Sequence, residues 1–365
     1  MKKLVIEKEK LINNILALKS EAAATNTKLI AMLKGNGYGL GLGAFAHILT
    51  ENGIDTISVC LLEEARTLRE DGIAAEILLL SPTCDLSEAK EAISLGITCA
   101  VGSEDSCAIL DIAAEQLGVK AKAHLAIDTG FGRFGFLYSE MPAAAKRINE
   151  AEHIEITGTF THLSDAFGDA KNSMLQYERF MAALDALKAN GIAPGLRHMC
   201  NSCGFLRFKN LRLDAARIGS AFLGRLPIQT NVKLEKIAYL ESCICETKLL
   251  PAGFNIGYAN TYKTKRETRI GVVPVGYMDG FGVSKVNDTF RFSDIVRYTI
   301  NSAKAMFRDN AVYVRVNGVR CRVLGRISMF NIIVDLTDTD AQTGDEVILE
   351  CNPILIDASL MREYK

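Results

Sequence analysis

At 365 residues and a formal net charge of -1, the chain is long enough for a large barrel plus a second module, and it carries no broad basic field for nucleic acid or an anionic membrane. No apolar run approaches the roughly 20 residues that a bilayer span needs, and no charged start leads into an apolar leader. The sequence therefore reads as a cytosolic protein acting on a small molecule.

From the start to residue 232, short apolar runs alternate with amphipathic segments of helical length, the mark of a parallel β/α architecture. The runs fall at 29–33, 56–61, 76–80, 98–101, 122–127, 156–161, 197–200 and 214–217. Eight such units predict a (β/α)8 barrel, whose strands bury both faces and so read as continuous apolar stretches. Helical spacing of leucine and alanine predicts helices at 63–70, 104–117 and 174–189. Over 233–365 the texture changes to alternating strands at 237–245, 268–274, 312–316, 321–324, 332–334 and 347–349, with Asn317-Gly318 as a hairpin turn, so the second domain is expected to be mostly β. Of the ten cysteines, Cys200, Cys203, Cys243, Cys245 and Cys321 lie in apolar strand-like stretches and read as reduced core residues. One C-x-x-C without a second pair predicts no metal site.

Reactive groups in a β/α barrel gather at the carboxyl ends of the strands. The first run ends in Lys34-Gly35-Asn36-Gly37-Tyr38-Gly39, the fifth in Asp128-Thr129-Gly130-Phe131-Gly132-Arg133, the sixth in Thr161-His162, the seventh in Asn201-Ser202 and the eighth in Arg217-Ile218-Gly219-Ser220. A lysine at the end of a buried strand is a nucleophile candidate, because desolvation favours the neutral amine and a neutral amine forms a Schiff base with a carbonyl. The loops after strands seven and eight are the usual phosphate site of this barrel. A lysine facing a phosphate across one cavity is what pyridoxal phosphate requires. Arg217 could face the pyridine nitrogen, to which an arginine can only donate. The ring then stays neutral, which suits proton removal and return at Cα. Gly37–Gly43 does not fit a dinucleotide fingerprint in either frame.

These stretches resemble the alanine racemase family. Lys34-Gly35-Asn36-Gly37-Tyr38-Gly39 is similar to its cofactor-lysine motif, and Asp128 to Arg133 to its strand-five motif with a substrate-carboxylate arginine. His162, Ser202, Arg217 and Gly219 match its cofactor contacts, with Tyr38, Asn201 and Ser220 in the same motifs. Pro274-Val275-Gly276-Tyr277-Met278-Asp279-Gly280 resembles the segment that carries its second base, and Gly325-Arg326-Ile327-Ser328-Met329 the one whose methionine backbone meets the substrate carboxylate. The resemblance implies a homodimer with shared sites, in which Lys34 and Tyr277 of the partner subunit are the two bases, Arg133 and Met329 hold an amino-acid substrate, and pyridoxal 5'-phosphate is the cofactor. A tyrosine hydroxyl is a poor base near neutrality, so such a site must favour the phenolate.

Four positions depart from that pattern: Ala126 stands where a carbamylated lysine is common, Ile218 where proline is usual, Phe330 where an aspartate is usual, and the chain ends at Lys365 without the usual C-terminal stretch. Arg133 must then be oriented in another way. A racemase for serine, ornithine or lysine is the nearest alternative. A decarboxylase would call for a carboxylate at the ring nitrogen, and a non-catalytic pyridoxal-phosphate carrier would not need the Tyr277 motif.

Overall fold

The protein is described from a computed structural model covering residues 2–284, 290–305 and 310–365, with the backbone alone at residue 305. The chain forms two compact units, one of residues 8–237 and one that joins residues 2–7 to 238–365.

In the first unit, helix α1 (Lys8–Ala23) precedes strands β2 (Lys28–Met32), β3 (Thr56–Val59), β4 (Glu76–Leu79), β5 (Thr98–Val101), β6 (Ala121–Asp128), β7 (Ile154–Phe160), β8 (Leu196–Cys200) and β9 (Ala215–Ile218); strand β1 (Lys3–Ile6) belongs to the other unit. These eight strands are parallel, in the order β5-β4-β3-β2-β9-β8-β7-β6, and pairing of β5 with β6 closes the barrel. Closure leaves no edge, and helices on the outer face explain why the strands lack alternation. Helices α2 (Leu42–Glu51), α3 (Leu62–Glu70), α4 (Leu86–Ser94), α5 (Glu104–Leu117), α6 (Met141–Ile148) and α7 (Ala170–Ala189) supply the crossovers. Helix α5 keeps its predicted bounds because Ser103 accepts the Ser106 N–H at its start and Gly118 turns left-handed at its end. Helix α7 starts four residues ahead of expectation (170 against 174), where Asp169 accepts the Lys171 N–H.

The second unit is a nine-stranded, mostly antiparallel sheet in which β1 (Lys3–Ile6) pairs with β10 (Ala238–Cys243) and with β17 (Arg362–Tyr364). The sheet continues through β11 (Glu246–Leu250), β12 (Thr268–Val273), β13 (Tyr313–Val316), β14 (Val319–Leu324), β15 (Ile332–Asp335) and β16 (Glu346–Glu350). The Asn317-Gly318 turn joins β13 to β14, as the sequence predicts. Strands β1, β11 and β17 and helix α8 (Phe292–Ala305) were not anticipated. Cys200, Cys203 and Cys321 are buried as expected, whereas Cys243 is half-buried and Cys245 exposed, because β10 ends at Cys243 and the chain turns there into β11.

Candidate active site

A cavity of about 450 Å³ opens at the carboxyl ends of the barrel strands and gathers residues from several of the stretches singled out by sequence. Lys34, Tyr38, Arg133, His162, Asn201, Ser202, Arg217, Gly219 and Ser220 all line it, together with Met32, Cys60, Ala126, Asp128, Phe131, Phe134 and Phe160. Its size lies in the usual range for small-molecule sites.

Lys34 lies two residues past the end of β2, after the buried Leu33, and is exposed in the single chain, not desolvated as the sequence suggested, because the chain turns away immediately after it. That turn is left-handed: φ is 65° at Gly35, 53° at Asn36, 62° at Gly37, 55° at Tyr38 and 84° at Gly39. A left-handed turn costs roughly 1–2 kcal/mol for each residue with a side chain, so three glycines confine the strain to Asn36 and Tyr38. Asn36 helps to hold it, its Oδ1 accepting the Leu42 N–H at 2.9 Å. Glu64, a nearly buried residue on α3, fastens this turn to the end of β3: its carboxylate accepts N–H groups of Gly35 (2.7 Å), Cys60 (3.2 Å) and Leu61 (3.3 Å). This is why β3 stops two residues short of the predicted run.

Beside the lysine loop, because β9 pairs with β2, Ser202 and Gly219 make a small polar cradle. The Ser202 hydroxyl oxygen accepts the N–H groups of Gly219 (3.1 Å) and Ala221 (3.3 Å), and the Asn201 side chain accepts the Gly204 N–H (3.0 Å). A Cβ on residue 219 would fall 2.3 Å from the Tyr38 hydroxyl oxygen, so glycine is what lets that ring approach. Burial pushes the Tyr38 hydroxyl up to about 12, so it remains a proton donor at neutral pH.

Arg217 is buried, and burial lowers its guanidinium to about 10, still protonated near neutrality. It donates to Thr161 O (2.7 Å), His162 Nδ1 (3.0 Å) and His198 Nδ1 (2.5 Å). His162 is pushed down to about 3, chiefly by burial and then by the Arg217 charge, and is neutral.

The loop after β6 is shaped from within. Asp128 accepts the N–H groups of Gly130 (2.8 Å), Phe131 (2.9 Å) and Gly132 (2.9 Å). Gln176 and Arg179 on α7 brace the same loop through Thr129 (3.1 and 2.9 Å), and Gln176 also donates to His162 O at 3.0 Å. Arg133 lies over the rings of Phe131 (4.6 Å) and Phe134 (5.6 Å), which supplies the alternative orientation that Ala126 demands. Glu64, Gln176, His124 and His198 escaped sequence reading; a histidine inside an apolar strand was the available signal.

Tyr277 and Met329 belong to the other unit, where their backbones are laced together: the Tyr277 N–H donates to Ser328 O and the Met278 N–H to Met329 O, both at 3.1 Å. Asp279 holds the turn, accepting the Gly276 N–H (2.9 Å) and pairing with Lys2 (2.7 Å). Tyr277, Met278, Met329 and Phe330 all remain exposed, at 44, 50, 47 and 50%.

The barrel unit is thus that of an enzyme that presents a lysine, a buried arginine and a hydroxyl-and-amide cradle to one small cavity. The family description "Alanine racemase, N-terminal domain" matches residues 6–227, and "Alanine racemase, C-terminal domain" matches residues 237–358. The chain is 33% identical over 341 residues to an alanine racemase of Symbiobacterium thermophilum (92% of this chain, 84% of that protein), and 33% identical over 347 residues to one of Clostridium perfringens (92% and 83%). A solved alanine racemase of Clostridium difficile aligns with a TM-score of 0.86 at 26% identity, covering 100% of this chain and 95% of that one. The chain belongs to the alanine racemase family, whose members are pyridoxal-phosphate-dependent isomerases.

Proposed function

We propose that the protein interconverts L- and D-alanine, with pyridoxal 5'-phosphate held by Lys34 and a second base, Tyr277, supplied by the partner subunit of a homodimer. The observation that carries this reading is the convergence of Lys34, Arg217, Ser202 and Gly219 on one cavity. The donor set suits the cofactor: the hydroxyls of Tyr38, Ser202 and Ser220 and the backbone about Gly219 offer partners to a phosphate, and His162 lies beside Arg217. When bound, the cofactor supplies an electron sink that stabilises charge at Cα while a proton is away.

The chain's own groups do the rest. Inversion needs one base on each face of Cα. Lys34 Nζ takes or returns the proton on one face, and Oη of Tyr277 of the partner subunit does so on the other. Arg217 can only donate, so it leaves a facing ring nitrogen unprotonated. Arg133, fixed by its two phenylalanine neighbours, binds the substrate carboxylate, assisted by the backbone of Met329. The exposed group Tyr277, Met278, Met329 and Phe330 is the kind of apolar surface that a partner covers. Reduced, buried cysteines such as Cys99, Cys107, Cys200 and Cys203 suit a reducing, cytoplasmic setting.

The test is direct. With added cofactor the protein should be yellow, Lys34→Ala should lose that absorbance, and chiral chromatography should show L-alanine converting to D-alanine. Serine, ornithine and lysine belong in the same screen, because Ala126 and Phe330 alter the residues around the substrate carboxylate. A wild-type protein that stays colourless overturns the reading.

A further inference from the structure

Behind Arg217 two more histidines continue a hydrogen-bonded chain into the barrel. His198 Nδ1 lies 2.5 Å from Arg217 Nη1, and His198 Nε2 lies 2.9 Å from His124 Nδ1. Both rings are buried, at 0 and 3% exposure. A guanidinium has five donors and no acceptor, so His198 Nδ1 must accept. A neutral imidazole then carries its proton on the other nitrogen. His198 Nε2 therefore donates to His124 Nδ1, and His124 is protonated on Nε2. His162 Nδ1, which also faces Arg217, is an acceptor by the same logic. Burial, then the charge of Arg217, pushes His124 down to about 4 and His198 well below its usual range, so the imidazoles hold one proton each at neutral pH.

The backbone is adapted to this chain at both histidines. Where β6 meets β7, Ala123 pairs with Ile156 but His124 with Gly158, leaving Thr157 as an extra residue. Where β9 meets β8, Ala215 pairs with His198 but Ala216 with Cys200, leaving Met199 as a second one. Bulges of this kind re-aim side chains near functional sites. The His124 ring also lies against Gly158, where a Cβ would fall 2.4 Å from Nε2. Phe160 stacks on His198 at 5.1 Å and 13° and lies 5.3 Å from the Arg217 guanidinium.

We propose that His124 is a positioning residue: by accepting from His198 it fixes the tautomer that receives Arg217, and so holds the guanidinium in register to donate toward the cofactor's ring nitrogen. The inference rests on the reading of Arg217 given above. Without an acceptor at position 124, His198 Nε2–H is left unpaired in the core, and its ring gains reason to turn away from Arg217.

Two measurements test this. With 15N-labelled histidine, the five imidazoles can be assigned by single substitution, and long-range 1H–15N correlation on the cofactor-free protein should show His124 and His198 both neutral and protonated on Nε2 from pH 6 to 8. A proton on His198 Nδ1 overturns the proposal. In parallel, His124→Phe keeps a ring beside Gly158 but removes the acceptor, whereas His124→Asn places its amide oxygen near the position of Nδ1. His124→Phe should weaken pyridoxal-phosphate binding about ten-fold, by fluorescence titration, and shift the absorbance of the bound cofactor; His124→Asn should stay within about two-fold of wild type. Equal weakening in both variants, or none in either, overturns the positioning role. Failure of the wild type to bind pyridoxal phosphate would instead remove the underlying reading, with the tautomers still reporting the chain's polarity.

Discussion

Lowering the pH from 7 to 5 should destabilise the barrel unit through its buried histidines, and His124 allows the size to be worked out. In the unfolded chain its imidazole takes a proton near pH 6.5, whereas the folded barrel, by burial and by the charge of Arg217, lowers that to about 4. Below pH 6.5 the unfolded state therefore binds more protons than the native state, so stability falls as pH falls; it is intact above that value and is lost progressively down to about 4. At pH 5 the unfolded group lies about 1.5 units on the protonated side, and at 1.36 kcal/mol per unit His124 alone contributes a loss of about 2 kcal/mol. His162, held down to about 3, and His198 act in the same direction. The assay is urea unfolding at fixed protein concentration at pH 7 and pH 5, for wild type and His124→Asn. The variant should start less stable or equal at pH 7, yet lose about 2 kcal/mol less than wild type between the two pH values. An identical pH dependence in the two proteins would refute the claim that His124 is held neutral by the fold.

Gly219→Ala should weaken cofactor binding at least ten-fold in a fluorescence titration, because the new methyl must displace the Tyr38 ring by more than an ångström from a strained left-handed turn. Glu64→Gln removes the charge that holds three N–H groups of the lysine loop and the β3 loop; thermal or urea unfolding should show a loss of about 1.5–3 kcal/mol, and kcat for racemisation should fall more than KM rises. Gln176→Leu leaves the Ser164 N–H and the Thr129 hydroxyl without their shared partner, which should cost about 1–3 kcal/mol in the same unfolding assay and lower kcat through the displaced His162 loop.

The barrel was legible because its strands read as unbroken apolar runs and its chemistry sits at their carboxyl ends: Lys34 two residues past β2, Arg217 just before β9 ends at Ile218. The cavity could be inferred from strand order alone, since parallel strands bring all their carboxyl ends to one rim. Strand β1 was not readable, because its partner strands Ala238–Cys243 and Arg362–Tyr364 lie at the other end of the chain and a four-residue run carries no sign of distant pairing. Helix α8 was missed because its apolar positions lie among charges in a segment of strand-like neighbours, and its described side chains stay largely exposed, Asp294 excepted. His124 and His198 were passed over for a physical reason: within a strand, a buried histidine looks like core until its hydrogen-bond partner is known. The exposure of Lys34 was misjudged because a buried strand says nothing about the turn that follows it.

The replacement at position 126 is where sequence and structure combine most usefully. A carboxylate partner would orient Arg133 by occupying two of its donors. Ala126 supplies none, and the guanidinium instead lies over the rings of Phe131 and Phe134, contacts that occupy none of its N–H donors. The consequence reaches the charge of the whole cavity. Lys34, Arg133 and Arg217 line it with Asp128, whose carboxylate already takes three backbone N–H groups. With no further carboxylate among the lining residues, the cavity keeps a surplus of positive charge. A ligand that brings a phosphate and a carboxylate together meets that surplus, whereas a neutral one leaves it uncompensated.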